Sequence, residues 1–301
     1  MKKIAIVVGV PCLLTPHLAV AQYDSDYIAP FDRVVSAGIS TYYQPIILSH
    51  KTEGESSSTY IPNTPVGIGL SFTYKNISLA GGIEPPFFRN PDYGKTTFFA
   101  LQAHYYGRKF LLDLFFSKFR GFYFNKGETV FLYPDIRLIQ YGISGQYIFN
   151  HRNFSYKAAF NHSERQLKSA GSFQLGGGIY YNQVSADTSL VLNEQNALNN
   201  YQIGVTGGYV YTFVIKSDFF ATVGVSVGIN AGTEKLGKKE ITLSPNAYPR
   251  IAVGYHANTW SIGLSCAINR TYIPNHETSS TLVLDTIYAQ MLFTKRFGTD
   301  R

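Results

Sequence analysis

The residues best suited to chemistry form the run His162-Ser163-Glu164, followed directly by Arg165. A serine activated by a histidine and supported by a carboxylate is the arrangement of a hydrolase. The nucleophile and its base must lie within hydrogen-bond reach, whereas consecutive residues on a strand point to opposite faces. We therefore expect His162 and Ser163 not to act on each other and the run to be structural, and we keep hydrolysis as an alternative.

A second group of charged and polar residues is predicted to point into the lumen of a β-barrel. Placed there, these side chains could form a salt-bridged plug or a ring that selects ions. We favour the plug, because a barrel of about twelve strands is narrow and paired side chains fill it. The residues predicted to face inward are His104, Asp113, Asp135, Arg137, Lys157, Arg165 and Lys168.

The sequence contains no pattern typical of a cofactor or metal site, so none is predicted. The spacing of Cys and His residues does not indicate zinc or haem. The glycines at 176–178 lie within an alternating strand, so they are not a phosphate-binding loop between a strand and a helix. Asp24 and Asp26 offer too few oxygens for a hard cation and are expected to belong to a solvated spacer. Three lysines of one predicted outer loop could meet lipopolysaccharide phosphates, but a charged, soluble loop is the favoured interpretation: Lys235, Lys238 and Lys239.

The beginning of the chain and its composition indicate an exported protein. Lys2 and Lys3 precede an apolar stretch that ends at Ala19-Val20-Ala21, which predicts a secretory signal peptide cleaved after residue 21. Its removal lowers the formal charge from +7 to +5, which is too mild and too scattered for a nucleic-acid partner. Cys266 is then the one remaining cysteine, so no internal disulfide can form. With 23 Tyr, 22 Phe and 27 Gly but only 15% charged residues, the composition fits a lipid-facing barrel.

Alternation of side chains predicts membrane-spanning β-strands. From Val66 to Tyr74 every second residue is apolar, and the residues between are Gly, Ser and Thr. Because successive side chains point to opposite faces of a strand, this segment has one apolar face and one small, polar face. A soluble β-sandwich would instead carry large apolar residues on the face toward its partner sheet. The same alternation recurs at 154–161, 172–182, 219–230 and 260–269.

These segments predict an all-β fold, a single antiparallel transmembrane β-barrel at residues 33–297. Residues 22–32 are expected to be a periplasmic spacer and residues 298–301 a short tail. We count thirteen strand candidates, whereas single-chain bacterial barrels have even numbers, so we predict twelve strands with fourteen as the alternative. The alternation of short and long connections fails between 153 and 200: either the candidate at 153–162 is not a wall strand or a short strand near 188–192 is missing. Long connections are placed outside the cell, at 49–64, 84–95, 119–134, 183–200, 231–246 and 272–280.

Several runs of residues, in order along nearly the whole mature chain, resemble one bacterial family. They include Asn153–Phe160, Asp113–Phe116 followed by Arg120–Tyr123, and Tyr209–Val214. In this order and spacing they are similar to an outer-membrane β-barrel family found mainly in Bacteroidetes and catalogued as domain of unknown function 4421. The resemblance implies a barrel in the outer membrane, and it implies no particular activity or ligand.

The sequence therefore predicts an outer-membrane barrel with a pore, transport or envelope-structural role and no catalysis. The expected partners are outer-membrane lipid and lipopolysaccharide, the barrel-assembly machinery during insertion, and a small solute that the residues do not identify. Two alternatives stay open. One is a hydrolase of lipid or lipopolysaccharide, which would use His162, His104 or His256, and the other is a secreted, soluble β-sandwich that binds glycan.

Overall fold

The computed structural model describes residues 23–52, 58–64, 66–187, 196–216, 218–235, 241–275 and 280–298. The described residues contain one α-helix, α1 (Tyr156–Phe160), and two turns of 3-10 helix at Pro86–Phe88 and Pro91–Tyr93. None of their helices is long and apolar enough to cross a membrane. The strands are β1 (Ile28–Pro30), β2 (Val35–Tyr43), β3 (Ile46–Thr52), β4 (Ser58–Tyr60), β5 (Gly67–Tyr74), β6 (Ile77–Ile83), β7 (Thr97–Tyr106), β8 (Phe110–Lys126), β9 (Thr129–Ile148), β10 (Glu164–Gln166), β11 (Ala170–Ser185), β12 (Ala197–Lys216), β13 (Phe219–Thr233), β14 (Thr242–His256), β15 (Trp260–Asn275) and β16 (Ser280–Phe297).

Twelve wall strands close into one antiparallel ring. β16 pairs with β15 on one side and with β2 on the other, so the last wall strand meets the first. β3 continues the wall beyond β2, because β16 runs along both of them. This ring confirms the predicted transmembrane barrel of twelve strands and shows that the soluble β-sandwich is wrong, since a sandwich would have two facing sheets. The wall order is β2 with β3, β5, β6, β7, β8, β9, β11, β12, β13, β14, β15 and β16.

The segment 153–162, counted above as a strand candidate, is not part of the wall. The side chain of Ser155 accepts a hydrogen bond from the backbone N–H of Ala158 and so caps α1. Tyr156 and Phe160 lie one helical turn apart, with ring centroids separated by 4.6 Å. A helix of five residues is too short to show a helical period in the sequence. Its apolar residues fall at every second position, which is also the pattern of a strand. The odd strand count is thereby resolved.

The connection between β8 and β9 is shorter than predicted. The predicted outer loop 119–134 is wrong, because β8 and β9 continue as a paired hairpin to a tight turn at Gly127, which has a φ of 62°. Gly121 interrupts the pairing as a bulge with a φ of 92°, and a Cβ there would collide with the carbonyl oxygen of Lys95. The predicted short strand at 188–192, like the signal segment 1–21, lies outside the described residues.

The two ends of the barrel differ in the length of their connections. Four wall hairpins turn at the end where β2 begins and β16 finishes, including those at Lys75–Asn76 and at 107–109. The connection 84–96 and the extended β8–β9 hairpin lie at the opposite end. The one long connection at the first end, residues 149–169 between β9 and β11, folds back into the lumen. Transmembrane barrels place short turns in the periplasm and longer loops outside the cell. We therefore name the two ends of this barrel the inner end and the outer end.

Aromatic side chains border the apolar outer face of the wall at both ends. Toward the outer end, Tyr181 contacts Tyr141 and Tyr201 on the neighbouring strands, at centroid distances of 4.7 and 4.8 Å. Toward the inner end, Phe173 lies 4.8 Å from Tyr209. The two rows are eight residues apart on β11, which is roughly 20 Å along the membrane normal at the usual strand tilt. The apolar side chains between the rows form a band of the height that lipid covers.

Val227 tests this band, because it lies on the outer face of β13 between the two aromatic rows, with its side chain more than half exposed. We expect Val227→Arg to lower the free energy of unfolding in liposomes by about 2–4 kcal/mol, since a cation near the bilayer midplane loses its hydration. The matched control is Thr233→Arg, six residues nearer the outer end on the same face and opposite Tyr201 of the outer aromatic row, for which we expect less than about 1 kcal/mol. Equal losses in both variants, measured by urea unfolding, would show that the band is not in lipid.

Candidate functional site in the barrel lumen

The outer part of the lumen is filled with apolar side chains. Phe119 and Leu138 from one side of the wall and Leu284 from the other are completely or almost completely buried. The backbone of Ile61 pairs with that of Tyr123, so the segment after β4 crosses the mouth from β3 to β8. We name this cluster the outer core, and it closes the outer end. Its buried members are Ile46, Leu48, Tyr60, Phe119, Phe122, Ile136, Leu138, Val184, Ala186, Leu198, Ile273, Leu282 and Leu284.

Two chain segments, residues 23–34 and 149–169, close the inner end, and we name them together the inner plug. They are joined by the pairing of β1 with β10. Ile28 is fully buried, and Phe154 packs against wall residues such as Leu111. The prediction that residues 22–32 are a spacer is therefore wrong for the described residues 23–32, because the Ile28 side chain is buried and the backbone of β1 pairs with that of β10.

A buried carboxylate ties the inner plug to the wall. Glu164 accepts two hydrogen bonds from the guanidinium of Arg108, at 3.0 and 2.7 Å, in the bidentate geometry that favours such pairs. The Ser155 hydroxyl donates to the same carboxylate at 2.6 Å, and the Lys157 ammonium lies 3.3 Å away. Burial lowers the pKa of Lys157, and the charge of Glu164 opposes that shift. Since Arg108 lies in the turn between β7 and β8, this cluster fixes the plug to one side of the ring.

Two arginines fix the inner plug to the other side of the ring. Arg165 of the plug forms an ion pair with Asp218 at 3.2 Å and donates to the carbonyl of His256 at 2.9 Å. Arg296 of β16 donates to the carbonyl of His162 at 2.8 Å, and its guanidinium lies 3.3 Å from the centroid of the Phe31 ring. The plug is thus held at several wall strands by charged and polar contacts in addition to its apolar residues.

His162 fills a space on the wall that a glycine leaves open. A Cβ at Gly263 would lie 2.7 Å from the His162 ring, so a larger residue there would displace the plug. The His162 ring packs edge-on against Phe220 and His256, and its Nδ1 has no hydrogen-bond partner among the described residues. Burial, together with the neighbouring Arg296, lowers the pKa of His162 to about 4. The ring is therefore neutral at pH 7.

A serine and a histidine do meet in this region, but neither is Ser163. His256 Nε2 donates to the carbonyl of Ala158 at 3.0 Å, which leaves Nδ1 to accept from the Ser261 hydroxyl at 2.8 Å. This is the tautomer of a general base, yet Ser261 is fully buried and also accepts a hydrogen bond from Arg296. No substrate can reach a fully buried hydroxyl. The pair therefore has a structural role, since His256 of the wall bonds to the backbone of Ala158 in the plug.

The predicted trio His162, Ser163 and Glu164 is not assembled into a site. Glu164 faces Arg108, whereas His162 faces His256. The Ser163 hydroxyl is buried with no hydrogen-bond partner among the described residues.

A polar chamber lies between the outer core and the inner plug. His104 Nδ1 donates to the Asp113 carboxylate at 2.6 Å, and Arg250 donates to the Tyr156 hydroxyl of the plug. Two cavities of about 220 and 430 Å³ are both lined by Asp113, Gln140 and Arg250. Amide side chains of the wall bond to each other in this chamber: Gln140 donates to Asn182, and Asn246 donates to Asn230, which in turn donates to Gln202.

The residues predicted to face inward fall into three groups. His104 and Asp113 line the chamber, while Lys157 and Arg165 belong to the inner plug. Lys168 is exposed on the plug and pairs with Asp26 at 2.9 Å, so its predicted place in the lumen is wrong.

The inward prediction is also wrong for Asp135 and Arg137. On β9 the buried positions are the even ones, such as Ile136 and Leu138, so Asp135 and Arg137 lie on the outer face, where Arg137 pairs with Asp187 at 3.1 Å. Above the hydrocarbon core of the membrane the pattern reverses, because the outer face meets headgroups and water there and the lumen contains the outer core.

Sequence reasoning missed the arginines that matter most in the lumen, Arg108, Arg250 and Arg296. Arg250 and Arg296 carried a usable signal, since each occupies an inward position between two outward neighbours of its strand. Lys235 is exposed, while Lys238 and Lys239 lie outside the described residues, and Cys266 lies half-buried on the outer face. The described part of the chain contains no group of three or more His, Cys, Asp or Glu residues that could hold a metal ion.

A family model described as "Domain of unknown function (DUF4421)" matches residues 22–291. The chain belongs to this family. The match confirms the resemblance carried by the residues above, and an origin in Bacteroidetes stays a prediction. No curated protein matches the sequence.

Solved structures with a similar course of the chain include outer-membrane barrels of several bacteria. The translocator domain of the autotransporter NalP from Neisseria meningitidis has 12% identity and a TM-score of 0.48, covering 87% of this chain and 88% of that one. OmpT of Vibrio cholerae has 6% identity and a TM-score of 0.32, covering 88% and 98%. The toluene transporter TodX of P. putida has 9% identity and a TM-score of 0.30, covering 88% and 90%. At these values no function is transferred from these proteins to this chain.

The Glu164 cluster can be tested by removing one charge. We expect Glu164→Gln to destabilise the barrel by about 3 kcal/mol or more, because Arg108 and Lys157 lose the carboxylate that compensates their burial. The control is Asp26→Asn, which breaks the exposed pair with Lys168 and should leave the unfolding midpoint in urea unchanged. A Glu164→Gln midpoint equal to that of the wild type would contradict the assigned role.

The depressed pKa of His162 predicts a pH dependence. In the unfolded chain the imidazole binds a proton near its ordinary pKa of 6.5, whereas in the folded chain it does so only near 4. The unfolded state thus binds more protons in this window, so stability is full above about pH 6.5 and falls as the pH drops toward 4. We expect His162→Asn to give a shallower decline of the unfolding midpoint between pH 7 and pH 4. A decline as steep as that of the wild type would exclude His162 as a source.

Proposed function

We propose that this protein is an outer-membrane β-barrel whose lumen is closed and whose role is envelope-structural. In this proposal the segment 1–21 directs export and is cleaved, and the barrel-assembly machinery inserts the mature chain. One observation supports the closed lumen above all others. The outer core and the inner plug obstruct the same lumen from its two ends.

Conduction of polar solutes requires a continuous path of water through the lumen. The outer core offers instead a layer of thirteen buried apolar residues contributed by the wall and the segment that crosses its mouth. Hydrophobic constrictions of this kind exclude water even where a narrow gap exists. Since most of these side chains belong to wall strands, they cannot swing away as a loop would. The geometry therefore favours a closed barrel over a pore.

A gated transporter is the second candidate function, because a polar chamber lies directly behind the inner plug. The plug contacts the wall through ion pairs and hydrogen bonds of Glu164, Arg165 and Arg296, which water could replace if the plug moved. Among the described residues, the chamber is lined by Asp113, which is paired with His104, by Arg250, and otherwise largely by neutral polar groups. A solute held there would be polar and of low net charge.

We propose no catalytic role. The Ser261–His256 pair supports this proposal, because its hydroxyl is fully buried beneath the plug. Phospholipid turnover by the purified barrel in detergent, lost in a Ser261→Ala variant, would contradict it.

Planar-bilayer recordings discriminate the two candidate functions. For an envelope-structural barrel we expect no discrete conductance steps from the wild type, nor from the double variant Arg108→Gln, Arg165→Gln, which loosens the inner plug alone. Steps in the plug variant alone would favour the gated transporter, and steps in the wild type would contradict a closed lumen.

The positive control opens both ends. We expect steps when the plug variant also carries Phe119→Ser and Leu284→Ser, two polar substitutions in the outer core. Each variant is recorded only when its unboiled sample migrates like the folded wild type in a gel, so that silence is not the result of misfolding.

A further inference from the structure

Three basic residues form a patch on the outer face of β8 and β9, near the outer end. Lys118 and Arg120 are exposed, and the side chain of Arg137 is 38% exposed. Arg120 and Arg137 are direct partners across the two strands. Lys118 follows on the same face, two residues nearer the membrane. We name these three residues the basic patch.

The basic patch brings like charges together without full compensation. Like charges directly opposite each other on neighbouring strands destabilise a sheet. Arg120 has one weak hydrogen bond, to the carbonyl of Pro134 at 3.4 Å, and Arg137 shares the exposed Asp187 at 3.1 Å. Asp135, which makes its own contacts, also lies on this face of β9. Within the part of the chain that the structure describes, Lys118 has no ion-pair partner.

The height of the basic patch is set by the aromatic rows. Phe116 pairs across the strands with Tyr141, which belongs to the outer aromatic row. Lys118 and Arg120 follow two and four residues further along β8, hence roughly 5 and 10 Å above that row at the usual strand tilt. This is the level of lipid headgroups, because aromatic girdles mark the boundary between acyl chains and headgroups.

An exposed apolar surface lies directly below the basic patch. Phe99, Leu114 and Phe116 are between about one third and just over one half exposed on the outer face, and the Phe99 and Phe116 rings lie 6.1 Å apart. Phe99 is the cross-strand partner of Lys118, so apolar surface and positive charge meet on the same strands. A ligand that fits both has an anionic head and long apolar tails.

We propose that the basic patch binds the phosphorylated glucosamine head of a lipopolysaccharide molecule in the outer leaflet, with its acyl chains on the apolar surface below. Guanidinium groups hold phosphate oxygens in bidentate pairs, and two adjacent arginines with a lysine supply enough donors for more than one phosphate. The occupant is lipopolysaccharide rather than phospholipid because the patch is at the outer end and its three cations outnumber the two neighbouring acids, Asp135 and Asp187. The proposal rests on the proposed location in the outer membrane.

Binding of purified lipid A tests the proposal. The barrel in detergent micelles is titrated with bisphosphorylated lipid A, with the same lipid A after removal of its phosphates, and with phosphatidylglycerol. We expect the first to bind at least tenfold more tightly than the other two. In the triple variant Lys118→Gln, Arg120→Gln, Arg137→Gln we expect this preference to fall at least tenfold, because the charge-assisted hydrogen bonds are lost.

The matched control removes three cations at the inner end, in the triple variant Lys75→Gln, Lys216→Gln, Lys295→Gln, whose side chains are all exposed. It should keep the wild-type preference. Equal loss in both variants, or equal binding of phosphatidylglycerol and lipid A by the wild type, would overturn the proposal. Because the assay uses folded barrel in micelles, failure there leaves the membrane location intact, whereas a wild type that stays in buffer when membranes are pelleted would remove the proposed function itself.

Discussion

The backbone hydrogen bond is the interaction on which the whole structure depends. A wall strand in lipid has no water to satisfy its N–H and C=O groups, and an unpaired group there costs several kcal/mol. Closure of the ring leaves no edge strand with unpaired groups, because the last wall strand pairs with the first: residues 289–297 of β16 run along residues 35–43 of β2. Once the ring is closed, the apolar side chains must face lipid and the lumen must be filled from within.

How the lumen is filled explains the unusual interior. In a narrow ring, glycine, serine, threonine and amide side chains leave a polar space in the middle, and it is closed by different means at the two ends. At the outer end the wall rises above the membrane, so the apolar residues move inside and form the outer core. At the inner end the chain itself folds back as the plug, and charges such as Glu164 are buried only together with partners such as Arg108.

Much of the fold could be predicted from the sequence, because alternation is a local property of each strand. The hairpin that contains His104 and Asp113 is such a case: both residues were predicted to face inward, and they are direct cross-strand partners. The rule failed where its physical basis changes. Arg137 lies above the hydrocarbon core, where polar residues face outward, and the alternating aromatic residues of 153–162 belong to a helix in the lumen.

The polar contacts of the plug could not be predicted, because they join residues far apart in the chain. Arg108 and Glu164 are separated by 56 residues, and Arg296 reaches the backbone of His162 across 134. Alternation along β16 places Arg296 on the inner face, but nothing local in the sequence identifies the partner of either arginine. Membership of the family does not help here, because the family is recognised from the order of short runs of residues and its description names no contacts between them.

The closure of the ring between β16 and β2 is the central claim, and a single disulfide tests it directly. Ala37 and Lys295 are Cα partners on the outer face of these strands. In a Cys266→Ser background, with cysteines placed at 37 and 295, mild oxidation of the folded barrel should join the two strands and give one cross-linked species in the gel. A barrel that folds but forms no such cross-link, while a control pair at 264 and 291 between β15 and β16 forms one, would contradict a closed ring of twelve strands.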